Sequence, residues 1–233
     1  MIDRQTHPRI LIIYFSLSGQ SRGLINLLAI GMRSEGATVV IEKLQTQKKI
    51  AFPFKGIIHT LWMMLSTFFR LRIPIVEPSP HCFEKYDLIV LAGPTWSYNP
   101  SGPVLTLLDR YGTRIFQGQI VMPLLSCRGF YKIHNRLLRR QLTGCGAILE
   151  ESLIFSHPVK EPWSTIGVFL KSAGYNPKEF ALLKKHYPHF GHTVEQLHQV
   201  KEDGVRIAME LQIDSAPKEV QSTTSPGSHT AKH

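Results

Sequence analysis

Arg9-Ile10-Leu11-Ile12-Ile13-Tyr14-Phe15-Ser16-Leu17-Ser18-Gly19-Gln20-Ser21 decides how this chain is read. The first seven residues form an apolar, β-branched and aromatic run, the pattern of a buried parallel strand. Just downstream, Gly23-Leu24-Ile25-Asn26-Leu27-Leu28-Ala29 repeats its apolar residues at helical spacing. A strand, a tight turn of small hydroxyl residues around a glycine, and then a helix make an anion site. The first backbone N–H groups of such a helix are unpaired and point outwards, and the helix dipole favours negative charge there. Ser16, Ser18 and Ser21 add hydroxyl donors, and Gly19 lets the backbone approach closely. No lysine sits in the loop, unlike a Walker-type loop, so a nucleoside triphosphate with magnesium is disfavoured. A phosphate monoester held by neutral donors fits better.

A second segment repeats the strand-then-loop arrangement. Tyr86-Asp87-Leu88-Ile89-Val90-Leu91-Ala92 reads as another buried strand, followed by Gly93-Pro94-Thr95-Trp96-Ser97-Tyr98-Asn99-Pro100. The first loop, Ser-x-Ser-Gly-x-Ser directly after the first strand, resembles the phosphate loop of flavodoxins. The second is similar to the flavodoxin loop that wraps the isoalloxazine ring, where Pro94, Thr95 and Trp96 stand for the characteristic Pro-Thr-Trp. The resemblance covers roughly residues 9–156 and implies bound FMN. In that reading Ser16, Leu17, Ser18, Gly19, Gln20 and Ser21 hold the 5′-phosphate. Trp96 stacks on the ring, Tyr98 packs on it or its edge, and Thr95, Ser97 and Asn99 reach its polar edge. A long insert and the Ser126-Cys127-Arg128-Gly129 loop also resemble a flavodoxin-like subgroup associated with dialkylresorcinol biosynthesis, a hint of apolar substrates.

By chain order the third loop is Ser126-Cys127-Arg128-Gly129-Phe130-Tyr131, which in a flavodoxin completes the ring pocket. Flavodoxins often carry acidic residues there. This chain offers Arg128, with no carboxylate until Glu150. An arginine within about 4–6 Å favours the negative charge of a fully reduced flavin, which biases the site towards two-electron chemistry. The alternative is that Arg128 faces solvent or caps the next helix. Cys127, with no histidine paired in sequence, reads as a structural thiol. Tyr98, Tyr131 and His59 are candidate proton donors, and none is assigned.

Strand patterns near 9–15, 38–43, 86–92, 119–125 and 147–155 alternate with helical ones near 20–34, 102–112 and 131–142. Strand and helix alternating five times gives an α/β fold. It is flavodoxin-like, a doubly wound parallel five-stranded sheet of order 2-1-3-4-5, with its crevice at the carboxyl ends of strands one and three. Residues 1–214 form one domain with two additions. The insert 46–78 is apolar nearly all round at Ile57-Ile58-His59-Thr60-Leu61-Trp62-Met63-Met64-Leu65-Ser66-Thr67-Phe68-Phe69, between Lys48, Lys49 and Lys55 on one side and Arg70 and Arg72 on the other. It suits a packed helix or dimer contact, a lid over an apolar pocket, or an element lying on an anionic membrane surface. The extension 157–213 has helical patterns near 163–173, 177–186 and 192–212, the last covering the sheet. The polar segment 215–233 reads as a disordered tail.

The chain has 233 residues, three cysteines and a formal net charge of +10. An odd, unclustered set of cysteines suits a reducing cytoplasm. No apolar run reaches the roughly 18–20 residues of a spanning helix, so a cytoplasmic protein is expected, at most peripheral on the inner membrane face. A basic chain attracts the phosphates of a nicotinamide dinucleotide or anionic lipid heads. Nucleic acid is not expected, because the basic residues are scattered without an aromatic-basic module. His186, His189 and His192 lie among Pro188 and Gly191 with no accompanying thiol or carboxylate, so they read as surface loop residues and no metal site is expected. The reading is an FMN-dependent oxidoreductase in which NAD(P)H reduces the flavin and a quinone or other apolar acceptor reoxidises it. A flavodoxin-type electron carrier and a non-catalytic binding module are the alternatives.

Overall fold

Strand β1 (Arg9–Tyr14) lies at the centre of a parallel sheet, between β2 (Thr38–Lys43) and β3 (Leu88–Trp96). A computed structural model of the chain describes residues 7–129, 131–187 and 191–215. Next to β3 runs β5 (Ile120–Cys127), and the far edge is shared by two short strands, β6 (Ile148–Leu149) and β7 (Leu153–Ser156), both paired with β5. The order is the expected 2-1-3-4-5, with its last position split in two and a short strand β4 (Asn99–Pro100) folded back on the end of β3. The split has a polar cause. Glu150 and Glu151 are exposed, and Arg139 Nη1 reaches over to donate to the Glu150 carbonyl at 2.6 Å.

Successive side chains of a strand face opposite sides, and both sides here are covered. Ile10, Leu11, Ile12 and Ile13 are all fully buried. Ile10, Ile12, Val90 and Leu124 pack beneath α1 (Gln20–Ser34) and α7 (Val194–Ser215). Leu11, Ile13, Ile89 and Leu125 pack beneath α3 (Gly102–Phe116) and α4 (Tyr131–Gly144). The terminal helix α7 therefore completes the layer over α1, as its pattern led us to expect. The two helices approach at backbone distance: a β-carbon on Gly31 would fall on the Lys201 carbonyl oxygen, and one on Gly204 would fall on that of Leu28.

The insert leaves the sheet and returns to its starting point. Thr46 and Ile75 form an antiparallel bridge, flanked by Gln47 N to Pro74 O at 3.0 Å and Val76 N to Gln45 O at 2.8 Å. Between these ends runs α2 (Gly56–Phe68). The extension contributes α5 (Trp163–Ser172) and α6 (Ala181–His186), held together by Val159, Leu183 and Tyr187 packed with Trp163, Val168 and Leu170. Phe54 N donates to Ser172 O at 2.6 Å, so insert and extension meet. No helix among the described residues is long and apolar enough to cross a membrane. The expected tail from 216 onwards, Phe130 and His189 lie outside the described residues.

Candidate functional site

The sheet's carboxyl edge gathers the three loops. The ladder of β1 ends where Phe15 N donates to Ala92 O at 3.1 Å, and the chain then turns into α1. Gly19 makes the turn with φ 88°, a left-handed conformation that glycine adopts without strain, and no side chain caps the helix. Among the described residues the N–H groups of Ser18, Gly19, Gln20 and Ser21 have no backbone partner. Ser16 Oγ is 3.4 Å from the Arg22 amide, which donates to it. The Ser21 hydroxyl is 1% exposed and has no partner among the described residues. A buried hydroxyl without a partner is costly unless a ligand satisfies it. Ser16, Leu17, Ser18, Gln20 and Ser21 line one wall of a cleft.

Pro94, Thr95, Trp96 and Ser97 line a second wall. Trp96 stands edge-on to Phe15, with ring centres 5.6 Å apart. The hairpin that carries it pairs Trp96 with Asn99 across a two-residue turn, Ser97 at φ 42° and Tyr98 at φ 70°. Two positive φ values match a type I′ hairpin, normally built with Asn and Gly. A tyrosine held there stores about 1–3 kcal/mol of strain. The insert holds the turn. Asn99 Nδ2 donates to the carbonyls of Thr67 (3.1 Å), Phe68 (3.3 Å) and Ser97 (3.0 Å), and Ser97 Oγ donates to Met64 O at 3.1 Å. Thr67 Oγ1 also lies 2.8 Å from Ser97 Oγ. Asn99 is thus a buried clasp, Tyr98 is 39% exposed, and neither is on the cleft wall.

Behind this loop, His134 Nδ1 lies 2.6 Å from Thr95 Oγ1. Burial, with the Arg70 charge adding to it, pushes the imidazole down to about 3 from its ordinary 6.5. Folding therefore favours the neutral ring. That contribution is complete above about 6.5 and is lost as pH falls from there towards 3. We expect stability in urea to drop on acidification through this window by up to about 1.4 kcal/mol per pH unit. His134→Gln should flatten that slope; an unchanged slope would assign it to other groups.

Ser126, Cys127 and Arg128 form the third wall, while Gly19, Gly129 and Tyr131 stand outside the lining. Burial raises the pKa of the Cys127 thiol, which lies 3.4 Å from Ser156 Oγ and 3.7 Å from Phe155 O. Such a thiol stays protonated and is a poor nucleophile. Arg128 faces the cleft rather than solvent. Burial lowers its pKa against the opposing pull of Glu161, Tyr187 and Tyr98, and no ion-pair or hydrogen-bond partner holds its guanidinium among the described residues. Among the described residues it is the lone Lys or Arg in the lining.

The rest of the cleft comes from the insert, for which a lid over an apolar pocket was one expectation, and from the extension, whose part in it the sequence did not announce. Phe52, Phe54, Thr60, Met63, Met64 and Thr67 come from the insert, and His157, Val168, Phe169, Ser172 and His192 from the extension. Thr60, Met63, Met64 and Thr67 recur at i, i+3, i+4 and i+7, one face of α2. The two threonines at this spacing in a largely apolar helix were the available signal. His59, one of the candidate proton donors, is exposed and stands outside the cleft lining. His192 was expected on the surface. It is 8% exposed, with Nε2 2.9 Å from Ser126 Oγ. His157 Nε2 accepts from Gly191 N at 2.8 Å, and its ring stacks on Tyr187. His186 stacks on Trp163 with ring centres 4.4 Å apart. Outside the cleft lining, Glu42, His81 and Cys82 bring three ligand-type atoms within 4.8 Å, but burial pushes the Cys82 thiol up to about 12.

No protein-family model matches the chain, and no curated protein matches it by sequence. Solved structures do match. Oxidised flavodoxin 1 from Bacillus cereus is similar with a TM-score of 0.50 at 13% identity, over 90% of this chain and 99% of its own. Rubredoxin oxygen:oxidoreductase from the anaerobe Desulfovibrio gigas is similar with a TM-score of 0.52 at 14% identity, over 91% of this chain and 39% of its own. The chain thus spans about two fifths of that second protein. The likeness is one of fold, and the fold is flavodoxin-like.

Proposed function

We propose that this chain is an FMN-dependent oxidoreductase that takes electrons from NAD(P)H and passes them to a quinone or other apolar acceptor. The observation that carries the proposal is the composition of one cleft. It joins a loop of unpaired amides and hydroxyls, a tryptophan wall, an unpaired guanidinium and an apolar roof. Neutral donors around the buried Ser21 hydroxyl suit a phosphate monoester. Bound FMN supplies a ring that accepts a hydride and returns electrons. Trp96 orients that ring, Arg128 lowers the energy of negative charge placed beside it, and Met63, Met64 and Phe169 exclude water and offer an apolar surface. A roof of this kind favours a flat, apolar acceptor over a charged one.

The test begins with colour. Purified or reconstituted protein should be yellow, and heat-released flavin should run as FMN; FAD, or no flavin after reconstitution, sinks the proposal. NADH or NADPH should then bleach the bound flavin, and added quinone should restore it. Flavin that resists both nicotinamides would make the protein an electron carrier. Trp96→Ala should weaken FMN binding by about 1–3 kcal/mol, the worth of a stacked aromatic contact. It should also restore flavin fluorescence quenched in the parent. Equal affinity and quenching would remove Trp96 from the ring site.

A further inference from the structure

Helix α2 has two faces of different use. Thr60, Met63, Met64 and Thr67 turn to the cleft. The other face carries Ile58, Leu61, Trp62, Leu65 and Phe68, continued by Phe69, each between 49% and 82% exposed. Six large apolar side chains side by side are far more than the scattered ones a soluble surface tolerates. Along the chain, Lys and Arg flank the patch and carboxylates are missing from it. From Lys43 to Val76 the chain holds Lys43, Lys48, Lys49, Lys55, Arg70 and Arg72, and not one Asp or Glu. Arg72 is engaged with Asp109 at 2.6 Å, whereas Lys48, Lys49 and Lys55 are exposed. At 13 residues α2 is about 20 Å long, too short to span a bilayer and of suitable length to lie along one.

We infer that α2 seats the protein on an anionic lipid bilayer, with its outer face at the boundary of headgroups and acyl chains and its inner face over the cleft. Charge decides between this occupant and a second copy of the chain. A twofold contact through the same face would bring its basic flanks against their own copies, whereas phosphatidylglycerol-type headgroups complement them. Each cation near such a surface strengthens attachment about fivefold. The seat itself needs no flavin. Only its consequence rests on the proposed function: an acceptor dissolved in the bilayer would reach the cleft from the lipid side.

The test uses the full chain without flavin, sedimented with phosphatidylcholine vesicles that either contain or lack phosphatidylglycerol. We expect co-sedimentation with the anionic vesicles at low salt and release as salt rises. The double variant Ile58→Ser/Trp62→Ser should lose about tenfold or more of that binding, with circular dichroism and thermal melting unchanged. Lys48→Glu/Lys49→Glu/Lys55→Glu should remove the preference for anionic lipid. Should these variants misfold, brominated lipids must still quench tryptophan emission of the parent protein, which requires no substitution. Absent sedimentation at low salt, absent quenching, or binding unaffected by both variants overturns the inference. So does a parent dimer that Ile58→Ser/Trp62→Ser converts to monomer, because the face would then belong to a second copy. Because flavin is left out, a failed seat and a failed cofactor assignment give different results.

Discussion

Gly31→Val lowers the melting temperature by about 6–12 °C, which for a domain of this size corresponds to about 3 kcal/mol. The new β-carbon falls on the Lys201 carbonyl oxygen and within 3.0 Å of Val205 N. Both obstacles are backbone, so no side chain can swing aside. Relief requires α1 and α7 to separate, which opens a seam along Leu28, Met32, Val200 and Ala208, all fully buried. Interiors close-packed to crystal density do not absorb such a shift cheaply. Gly204→Val meets the Leu28 carbonyl from the other side and should cost a similar amount. Gly23→Ala is the control. It sits in α1 with no atom within 4 Å of the added carbon, and it should stabilise the helix by about 0.5–1 kcal/mol. Equal melting of Gly31→Val and its parent would mean that the two helices do not meet as described.

If FMN fills the cleft as proposed, Gly19→Val weakens its binding about a hundredfold and leaves the sheet intact. Here no protein atom lies within 4 Å of the added carbon, so packing is not the cause. Backbone conformation is: φ is 88°, where a β-branched residue is a steric outlier. The strain, about 1–3 kcal/mol, is relieved by rotating the turn, and rotation carries the free amides of Ser18 to Ser21 out of convergence. Added carbon also occupies the open space that a phosphate would use. Gly19→Asn, which tolerates left-handed backbone, should retain more affinity than valine. Fluorescence titration of the apoprotein with FMN checks both. Valine binding as well as glycine would move the phosphate elsewhere.

The central sheet was legible because its information is local. Strands buried on both faces read as continuous apolar runs, and the turns after β1 and β3 carry their own small-residue signatures. The split of the last strand came from Glu150 and Glu151, whose side chains stay in water at the cost of the ladder. The roof of the cleft was not legible. In a helix apolar nearly all round, periodicity does not say which side faces inwards. Contact with Ser97 and Asn99 sorts Met63 and Met64 from Ile58 and Trp62. His192 meets Ser126 across 66 residues of sequence, a pairing that no spacing motif encodes. Chain order placed Arg128 in the right loop. That Glu161 and Tyr187 of the extension act on it was not legible in the sequence.

Asn99 gives the molecule a property that neither of its neighbours has alone. One amide nitrogen holds the last turn of α2 and the turn beside Trp96, so these two parts share a single set of positions. Anything that shifts the helix must drag the tryptophan or break the clasp. Whatever settles on the helix and whatever lies against the indole then act on one equilibrium, and linkage makes their influence mutual: each changes the other's affinity by the same factor. Asn99→Ala would loosen this coupling without abolishing it, because Ser97 Oγ still reaches Met64 O and Thr67 Oγ1.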